Sequence, residues 1–194
     1  PAIGAAASAV GSVIMWATEL QPLLMGILVS VLVGMALTLP ISSAAIAIAL
    51  SLSGLAAGAA TVGCCAQMVG FAVMSFKENR WAGLLSQGLG TSMLQMRNIV
   101  KNPKIWIPPI VASAVLGPVA TLGFKMSNIP SGAGMGTSGL VGQVGTINAM
   151  GNAPSVWLAI GLLHFVLPAL ITLAVAMLLR KKGWIKDGDL KLDV

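Results

Sequence analysis

Long stretches without charge are the feature that most limits how this chain can fold. Residues 41–76 are 36 consecutive uncharged positions, and residues 22–39 add another 18. Only 8% of the chain is Asp, Glu, Lys or Arg, whereas a soluble domain carries about a quarter. So few charges cannot cover a surface that faces water. The sequence therefore predicts an all-α integral membrane protein, a polytopic helical bundle.

Apolar runs of roughly 20 residues mark the expected membrane-spanning helices. Within 41–76 we predict two spans that break near Gly54 to Gly63, with tightly packed hairpins as the alternative. This run is rich in Ala and Gly, and small residues let helix backbones approach closely. The other expected spans are residues 22–39, 105–124 and 156–179, and residues 2–16 are interpreted as the remnant of a further helix.

The expected organisation is one transmembrane domain, residues 1–182, followed by a short, charged and frayed cytoplasmic tail at 183–194. The chain starts at Pro1 without Met and apolar sequence begins at once, so we expect a fragment that lacks its N-terminal part. Glu19 lies in a polar break and is interpreted as an interfacial residue.

Basic residues cluster beside the apolar runs, which is typical of cytoplasmic membrane flanks rather than of a nucleic-acid surface. One cluster lies within residues 77–104 and the other is 180–182, so we expect both to face the cytoplasm. Residues 81–100 mix apolar and polar side chains at helical spacing, which predicts an interfacial helix or one buried against other helices. Lys77, Glu78 and Arg80 form either a solvated turn or a docking surface for a soluble partner.

The stretch GAGMGTSGLVGQVG, residues 132–145, places glycine at every third position from Gly136 onward. Each glycine costs about 1 kcal/mol relative to alanine in a helix, so continuous helix is disfavoured. Non-helical backbone at membrane depth is tolerated only where protein or a water-filled cavity satisfies it. We therefore predict a Gly-rich re-entrant or unwound segment with non-helical backbone over 132–148. A flexible outer loop is the alternative.

Neutral donors and acceptors in and near this stretch suit a neutral polyhydroxylated solute, since bare backbone groups at glycine allow close approach. The one histidine, His164, lies in the middle of the last apolar run. An ionisable group at that depth indicates function, but interhelical packing is the alternative. The candidate substrate-binding residues are Gly136, Thr137, Ser138, Gly139, Gly142, Gln143, Thr146, Asn148 and His164.

The sequence contains no set of residues that predicts catalysis in this chain. The two cysteines, Cys64 and Cys65, are adjacent in an apolar run and are interpreted as packing residues. No Ser–His–Asp set, metal-ligand spacing or phosphate-loop lysine is present. We therefore expect no catalytic residue, no metal and no cofactor.

Three segments carry a resemblance to a known family: GCCAQMVGFAVMSFKENRWAGLLSQGLGTSMLQM, NPKIWIPPI and GMGTSGLVGQVGT. From about Pro1 to Arg180 the chain resembles the membrane subunit IIC of bacterial phosphotransferase systems, in the sugar-permease branch, and it looks like the C-terminal part of a longer subunit. The resemblance implies a homodimeric carrier in the bacterial inner membrane. It would bind a sugar at mid-membrane and present it to a cytoplasmic IIB partner, which performs the phosphoryl transfer.

One feature departs from the better-known glucose-type relatives of that family, which have a Glu beside a threonine in a re-entrant loop. The glycine stretch here contains no Glu, so it matches by glycine content and position. Two alternatives remain open at this point. The chain is either a carrier or channel for another metabolite, outside the phosphotransferase system, or a membrane sensor or scaffold that does not transport.

Overall fold

The computed structural model describes residues 13–14, 16–17 and 20–192, so Glu19 and residues 1–12 lie outside it. The described part is helical throughout, apart from turns and one isolated bridge between Gly54 and Asn128. In chain order the α-helices are α1 (Pro22–Thr38), α2 (Ser43–Ala49), α3 (Gly54–Met74), α4 (Phe76–Leu85), α5 (Met96–Lys101), α6 (Ile107–Pro118), α7 (Pro130–Ala133), α8 (Val141–Met150), α9 (Pro154–Ile160) and α10 (Leu167–Lys181).

Shorter π and 3₁₀ segments extend several of these helices into longer rods. Pro103–Gly123 contains α6, and Pro154–Lys181 contains α9 and α10. Together with α3, these are three helices in the described chain that are long and apolar enough to cross a membrane. Helix α1 is apolar but shorter. The prediction of an all-α polytopic membrane protein is therefore confirmed.

Helix α3 lies at the centre of the bundle and packs against α1, α6 and α10. Its small residues are the reason, because they let neighbouring backbones come close. A Cβ atom at Gly63 would collide with the Ser30 carbonyl of α1. Hydroxyls connect the same crossing: Ser30 donates to the Ser113 carbonyl at 2.7 Å, and Ser113 donates to the Gly63 carbonyl at 3.3 Å.

Contacts along α3 show in which direction α1 and α6 run. The end of α3 at Met74 leads to Lys77 and lies beside Arg180, so we call it the basic end, and the end at Gly54 is the distal end. Helix α1 begins at the distal end, where Thr121 donates to the Pro22 carbonyl at 2.9 Å, and it ends beside Gln67. Helix α1 is therefore parallel to α3, whereas α6 is antiparallel to it.

Residues 41–76 do not form the two predicted spans. They fold into α2, which is 7 residues long, and the single 21-residue helix α3. At about 1.5 Å per residue, α2 is far too short to cross a membrane. Ser42 caps it by accepting from the Ala45 N–H at 3.2 Å, and Ser51, with a φ of 50°, helps turn the chain into α3. The chain thus returns through α2 from the middle of the bundle to the distal end, where α3 begins.

Residues 126–150 enter the bundle from the distal end and return to it, and we call them the distal hairpin. Asn128 donates to Thr61 Oγ1 at 2.6 Å, and Thr137 reaches Met68 Sδ at 3.6 Å. Fourteen residues of α3 separate Gly54 from Met68, or about 21 Å of a helix about 31 Å long. The return ends where the Ser127 N–H meets Met150 Sδ at 3.2 Å. The predicted re-entrant segment is therefore present.

The extent of non-helical backbone in this hairpin is smaller than predicted. Residues 134–137 are turn and 138–140 a distorted 3₁₀ turn, but α8 is regular helix from Val141 to Met150. The prediction was wrong for residues 132–133, which belong to α7, and for residues 141–148, where tertiary packing uses the glycines. Gly142 packs against the Gly136 carbonyl and Gly145 against the Asn128 side chain, positions with no room for a Cβ atom.

Residues 76–102 form a second re-entry from the basic end, and we call them the basic hairpin. It contains α4, a π segment at Ser86–Gly90, a 3₁₀ turn and α5, so the predicted helix at 81–100 is broken. Buried amides hold it: Gln87 donates to Ser75 Oγ at 2.8 Å. Of the two predicted alternatives, burial against other helices describes Gln87, Ser92 and Gln95, whereas Leu89, Met93 and Leu94 are exposed.

The tail is ordered through Leu192, which contradicts the predicted fraying. Side-chain amides of the basic hairpin bind its backbone: Asn79 donates to the Leu190 carbonyl at 2.8 Å, and Asn98 donates to the Lys191 carbonyl at 2.9 Å. Ile185 and Leu190 are buried in an apolar cluster with Phe71. Hydrogen-bonded backbone groups and buried apolar side chains together fix a segment whose own sequence shows no helical or strand periodicity.

Candidate functional site

The two hairpins meet inside the bundle at the candidate site. Thr137, at the tip of the distal hairpin, donates its hydroxyl to the Gly88 carbonyl of the basic hairpin at 2.5 Å. The threonine is fully buried. Gly136 precedes it with a φ of +55°, and a Cβ there would lie 2.8 Å from the Cys64 carbonyl carbon. Only glycine fits both the backbone conformation and the space.

Gln143 and His164 form a buried pair beside this tip. Gln143, on α8, is 5% exposed and His164 is fully buried. Gln143 Nε2 lies 3.0 Å from His164 Nδ1 and 3.6 Å from Cys65 Sγ. An amide donating to Nδ1 leaves the imidazole proton on Nε2. His164 Nε2 and Gln143 Oε1 have no hydrogen-bond partner in the structure.

The position of His164 follows from an irregularity in its helix. Residues Gly161–Val166 form a π segment, in which the Leu167 N–H bonds to the Leu162 carbonyl. Pro168 has no N–H to give to the His164 carbonyl, so the regular helical pattern fails at this turn. π segments of this kind occur frequently at functional sites.

A second polar cluster lies on the opposite side of α3 around Gln67. Gln67 Oε1 accepts from Trp106 Nε1 at 2.9 Å and from the Thr38 hydroxyl at 3.3 Å. Thr38 also bonds Ser92 Oγ, of the basic hairpin, at 2.8 Å. The Nε2 atom of Gln67 is buried without a partner. The end of α1 and the basic hairpin are thus joined through neutral side chains.

The structure brings together only part of the predicted substrate-binding set. Thr146 serves the hairpin itself, since its hydroxyl donates to the Gly142 carbonyl at 2.9 Å and lies 3.2 Å from Asn128 Nδ2. Ser138 is half-buried and Gly139 exposed at the tip. Asn148 is exposed on another face of α8 from the buried Gln143. These positions stay predictions; within the set, Gln143 contacts His164, and Gly142 contacts Gly136 and Thr146.

The candidate site has a chemistry of neutral donors and acceptors. No carboxylate joins these polar clusters, and the described residues contain no group of His, Cys, Asp and Glu suited to a metal ion. The chain matches the family described as Phosphotransferase system, EIIC, over residues 1–192. It belongs to this family. Comparison with curated proteins and with solved structures found no match.

Family membership accounts for the membrane fold of this EIIC chain and supports sugar transport in general terms. The glycine stretch contains no carboxylate, and other polar groups stand at the candidate site. Where a charged group would be costly to bury, this EIIC chain places backbone carbonyls, a threonine hydroxyl and an amide–imidazole pair.

Some polar residues of the EIIC site were not singled out from sequence. Asn128 is 1% exposed and binds Thr61, Gly142 and Thr146, so it holds the two arms of the distal hairpin together. An asparagine just before an Ile-Pro turn in uncharged surroundings was the available signal. Gln67 and Gln95 are amides in apolar surroundings, but their bonds to Trp106 and to the Leu190 carbonyl join positions far apart in the chain.

The three predicted docking residues of the EIIC chain differ in their contacts. Lys77 pairs with Asp187 of the tail at 2.7 Å, and the buried carboxylate of Glu78 pairs with Arg180 at 2.8 Å. The hydrogen bond and charge of Lys77 lower the pKa of Asp187, with Arg180 adding to the effect. Arg80 remains exposed and has the backbone angles φ 52° and ψ −147°. Lys77 thus binds the tail, whereas Glu78 binds the end of α10.

Proposed function

We propose that this chain is a phosphotransferase IIC carrier that binds a sugar between the tips of its two hairpins. The observation that carries the proposal is the buried pair of Gln143 and His164, in which one acceptor and one N–H are both unpartnered. Buried polar groups without partners cost about 1–3 kcal/mol each. A site that binds a polar solute recovers that cost when the solute arrives.

The chemistry of the pair suits a hydroxyl group. A hydroxyl donates one hydrogen bond and accepts others, so it can donate to Gln143 Oε1 and accept from His164 Nε2. The backbone at Gly136, Thr137 and Ser138 lies at the neighbouring hairpin tip, where further hydroxyls would be recognised. A carboxylate or phosphate has no counter-charge in these clusters, which favours a neutral sugar.

Family membership supports a soluble IIB partner that supplies the phosphoryl group, so this chain binds and moves the sugar rather than phosphorylating it. In this proposal the basic end faces the cytoplasm of a bacterial inner membrane. Arg80 is the docking residue for the partner, since Lys77 and Glu78 are also engaged with other parts of the chain. The carrier works as a homodimer, which cross-linking in the membrane would test.

A panel of sugars tested on the reconstituted protein, with thermal unfolding as the readout, identifies the solute. At a hundredfold excess over Kd, a true ligand stabilises the folded state by about 2.7 kcal/mol. Uptake into vesicles carrying the phosphorylated IIB partner then separates transport from binding. A protein that binds a sugar in this assay but never carries it across would contradict the carrier and favour the sensor alternative.

His164→Leu tests whether the pair contacts the sugar. Leucine fills similar space but offers no hydrogen bond, so we expect sugar binding to be lost while the melting temperature without ligand is retained. Thr172→Val is the matched control, because Thr172 is buried on α10 with an unpartnered hydroxyl but packs against Gly70, further toward the basic end. Wild-type affinity in His164→Leu would remove the pair from the site.

A further inference from the structure

A separate pocket lies at the basic end, between α5 and the tail. It has a volume of about 360 Å³ and is lined mainly by Arg97, Asn98 and Lys101 on one side and by Lys191 and Leu192 on the other. The pocket is remote from Gln143 and His164, which lie deep in the bundle. Neither the family match nor the proposed sugar site gives it a role.

Hydrogen bonds between the basic hairpin and the tail hold the two walls of the pocket together. Asn98 donates to the Lys191 carbonyl at 2.9 Å, and the Leu192 N–H donates to Asn79 Oδ1 at 2.8 Å. Gly188, with a φ of +95°, turns the tail at the pocket wall. These bonds hold Lys191 at a fixed position opposite α5.

Basic side chains dominate the described lining of the pocket. Lys101 on α5 and Lys191 on the tail line one volume together with Arg97, and none of the lining residues that the structure describes is acidic. The nearby carboxylate of Asp189 is engaged elsewhere, since it accepts from Asn102 Nδ2 at 2.7 Å and from the Lys186 N–H at 2.8 Å. Basic side chains that converge from two segments in this way attract a compact anion.

The surroundings of the pocket are those of a membrane interface. Trp184, whose carbonyl accepts from Asn102, has the ammonium groups of Lys104 and Lys182 at 5.1 and 5.9 Å from its ring centre. Tryptophan and lysine together are typical of the headgroup level. Leu94 at the pocket and Val100 on α5 are exposed, which gives the polar pocket an apolar border.

We propose that this pocket binds a phosphate group, held by Arg97, Lys101 and Lys191 with Asn98 as a neutral donor. The same phosphate chemistry has two sources at this location, the headgroup of an anionic lipid and a free phosphorylated metabolite. In either case the bound phosphate bridges α5 and the tail. Binding therefore fastens the tail to the basic hairpin.

Two arms of one experiment distinguish the sources. In the first, calorimetry measures binding of glycerol phosphate to the full, delipidated chain in neutral detergent. In the second, native mass spectrometry compares retention of phosphatidylglycerol and phosphatidylcholine by the chain taken from mixed vesicles. Binding in the first arm assigns a free phosphate, and selective retention of phosphatidylglycerol in the second assigns a lipid headgroup.

Lys101→Gln and Lys191→Gln should each weaken the interaction about fivefold, the equivalent of about 1 kcal/mol per cation. Lys186→Gln is the matched control, since it removes the same charge from the tail outside the pocket. All three side chains are exposed, so the melting temperature should change little. Absence of binding in both arms, or equal weakening by Lys186→Gln, would overturn the proposal.

Discussion

At the scale of single residues, Arg80 combines exposure with an unfavourable backbone. Its φ of 52° and ψ of −147° lie in a region that is open to glycine and costs other residues about 1–3 kcal/mol. We expect Arg80→Gly to raise the free energy of unfolding by at least about 1 kcal/mol and to weaken docking of the IIB partner. Arg80→Ala is the control, because it removes the guanidinium and keeps the strain. Equal stability of the two variants would show that the turn is unstrained.

Asp187 gives the tail a pH dependence whose sign follows from its ion pairs. Because Lys77 and then Arg180 lower its pKa below the ordinary value of 3.8, its contribution to docking the tail is complete above that pH and declines as the pH falls below it. We expect the protection factors of the amides in residues 184–192 to be unchanged around neutral pH and to fall only in strong acid. Asp187→Asn should abolish this dependence while the amide contacts persist. A loss of protection already just below neutral pH would point to a different group.

At the scale of elements, the sequence predicted the re-entrant hairpin but not its internal form. Glycine spacing and missing charge at 132–145 were sufficient to place non-helical backbone inside the bundle, since both are local properties. They could not show that α8 is helical, because the helix depends on Gly142 and Gly145 packing against the other arm. The ordered tail was missed for the same reason: its partners Asn79 and Asn98 lie about a hundred residues away in the chain.

Substitutions at Gly136 and Gly139 distinguish the cost of backbone strain from the cost of lost packing at the tip of the distal hairpin. Both have positive φ, but a Cβ at Gly136 would meet the backbone of Cys64, whereas at Gly139 the nearest atom lies 3.9 Å away. Gly139→Ala should therefore cost only about 1–2 kcal/mol from backbone conformation. Gly136→Ala should cost more and weaken sugar binding, because the tip must move away from α3. Equal losses in thermal unfolding would mean that the tip does not pack as described.

At the scale of the whole molecule, packing between hairpins and helices defines which positions face water on each side. The turn at Asn152 is exposed at the distal end, Lys181 is exposed at the basic end, and Thr137 is fully buried between them. Both native cysteines are buried, so they give little background for thiol labelling. Single cysteines at these three positions can therefore map the molecule in intact cells.

A maleimide that cannot cross membranes should label Asn152→Cys from outside and Lys181→Cys only after the cells are opened. Thr137→Cys should react from neither side, because the tips of the two hairpins close over it and the thiol lies about two-thirds of the way along α3. A saturating sugar should leave the labelling of Asn152→Cys unchanged, which serves as the control for access. Labelling of Lys181→Cys from outside would reverse the proposed orientation. Rapid labelling at every position from Thr137 to Thr146 would contradict the buried hairpin, since a solvated loop is the arrangement that exposes all of them.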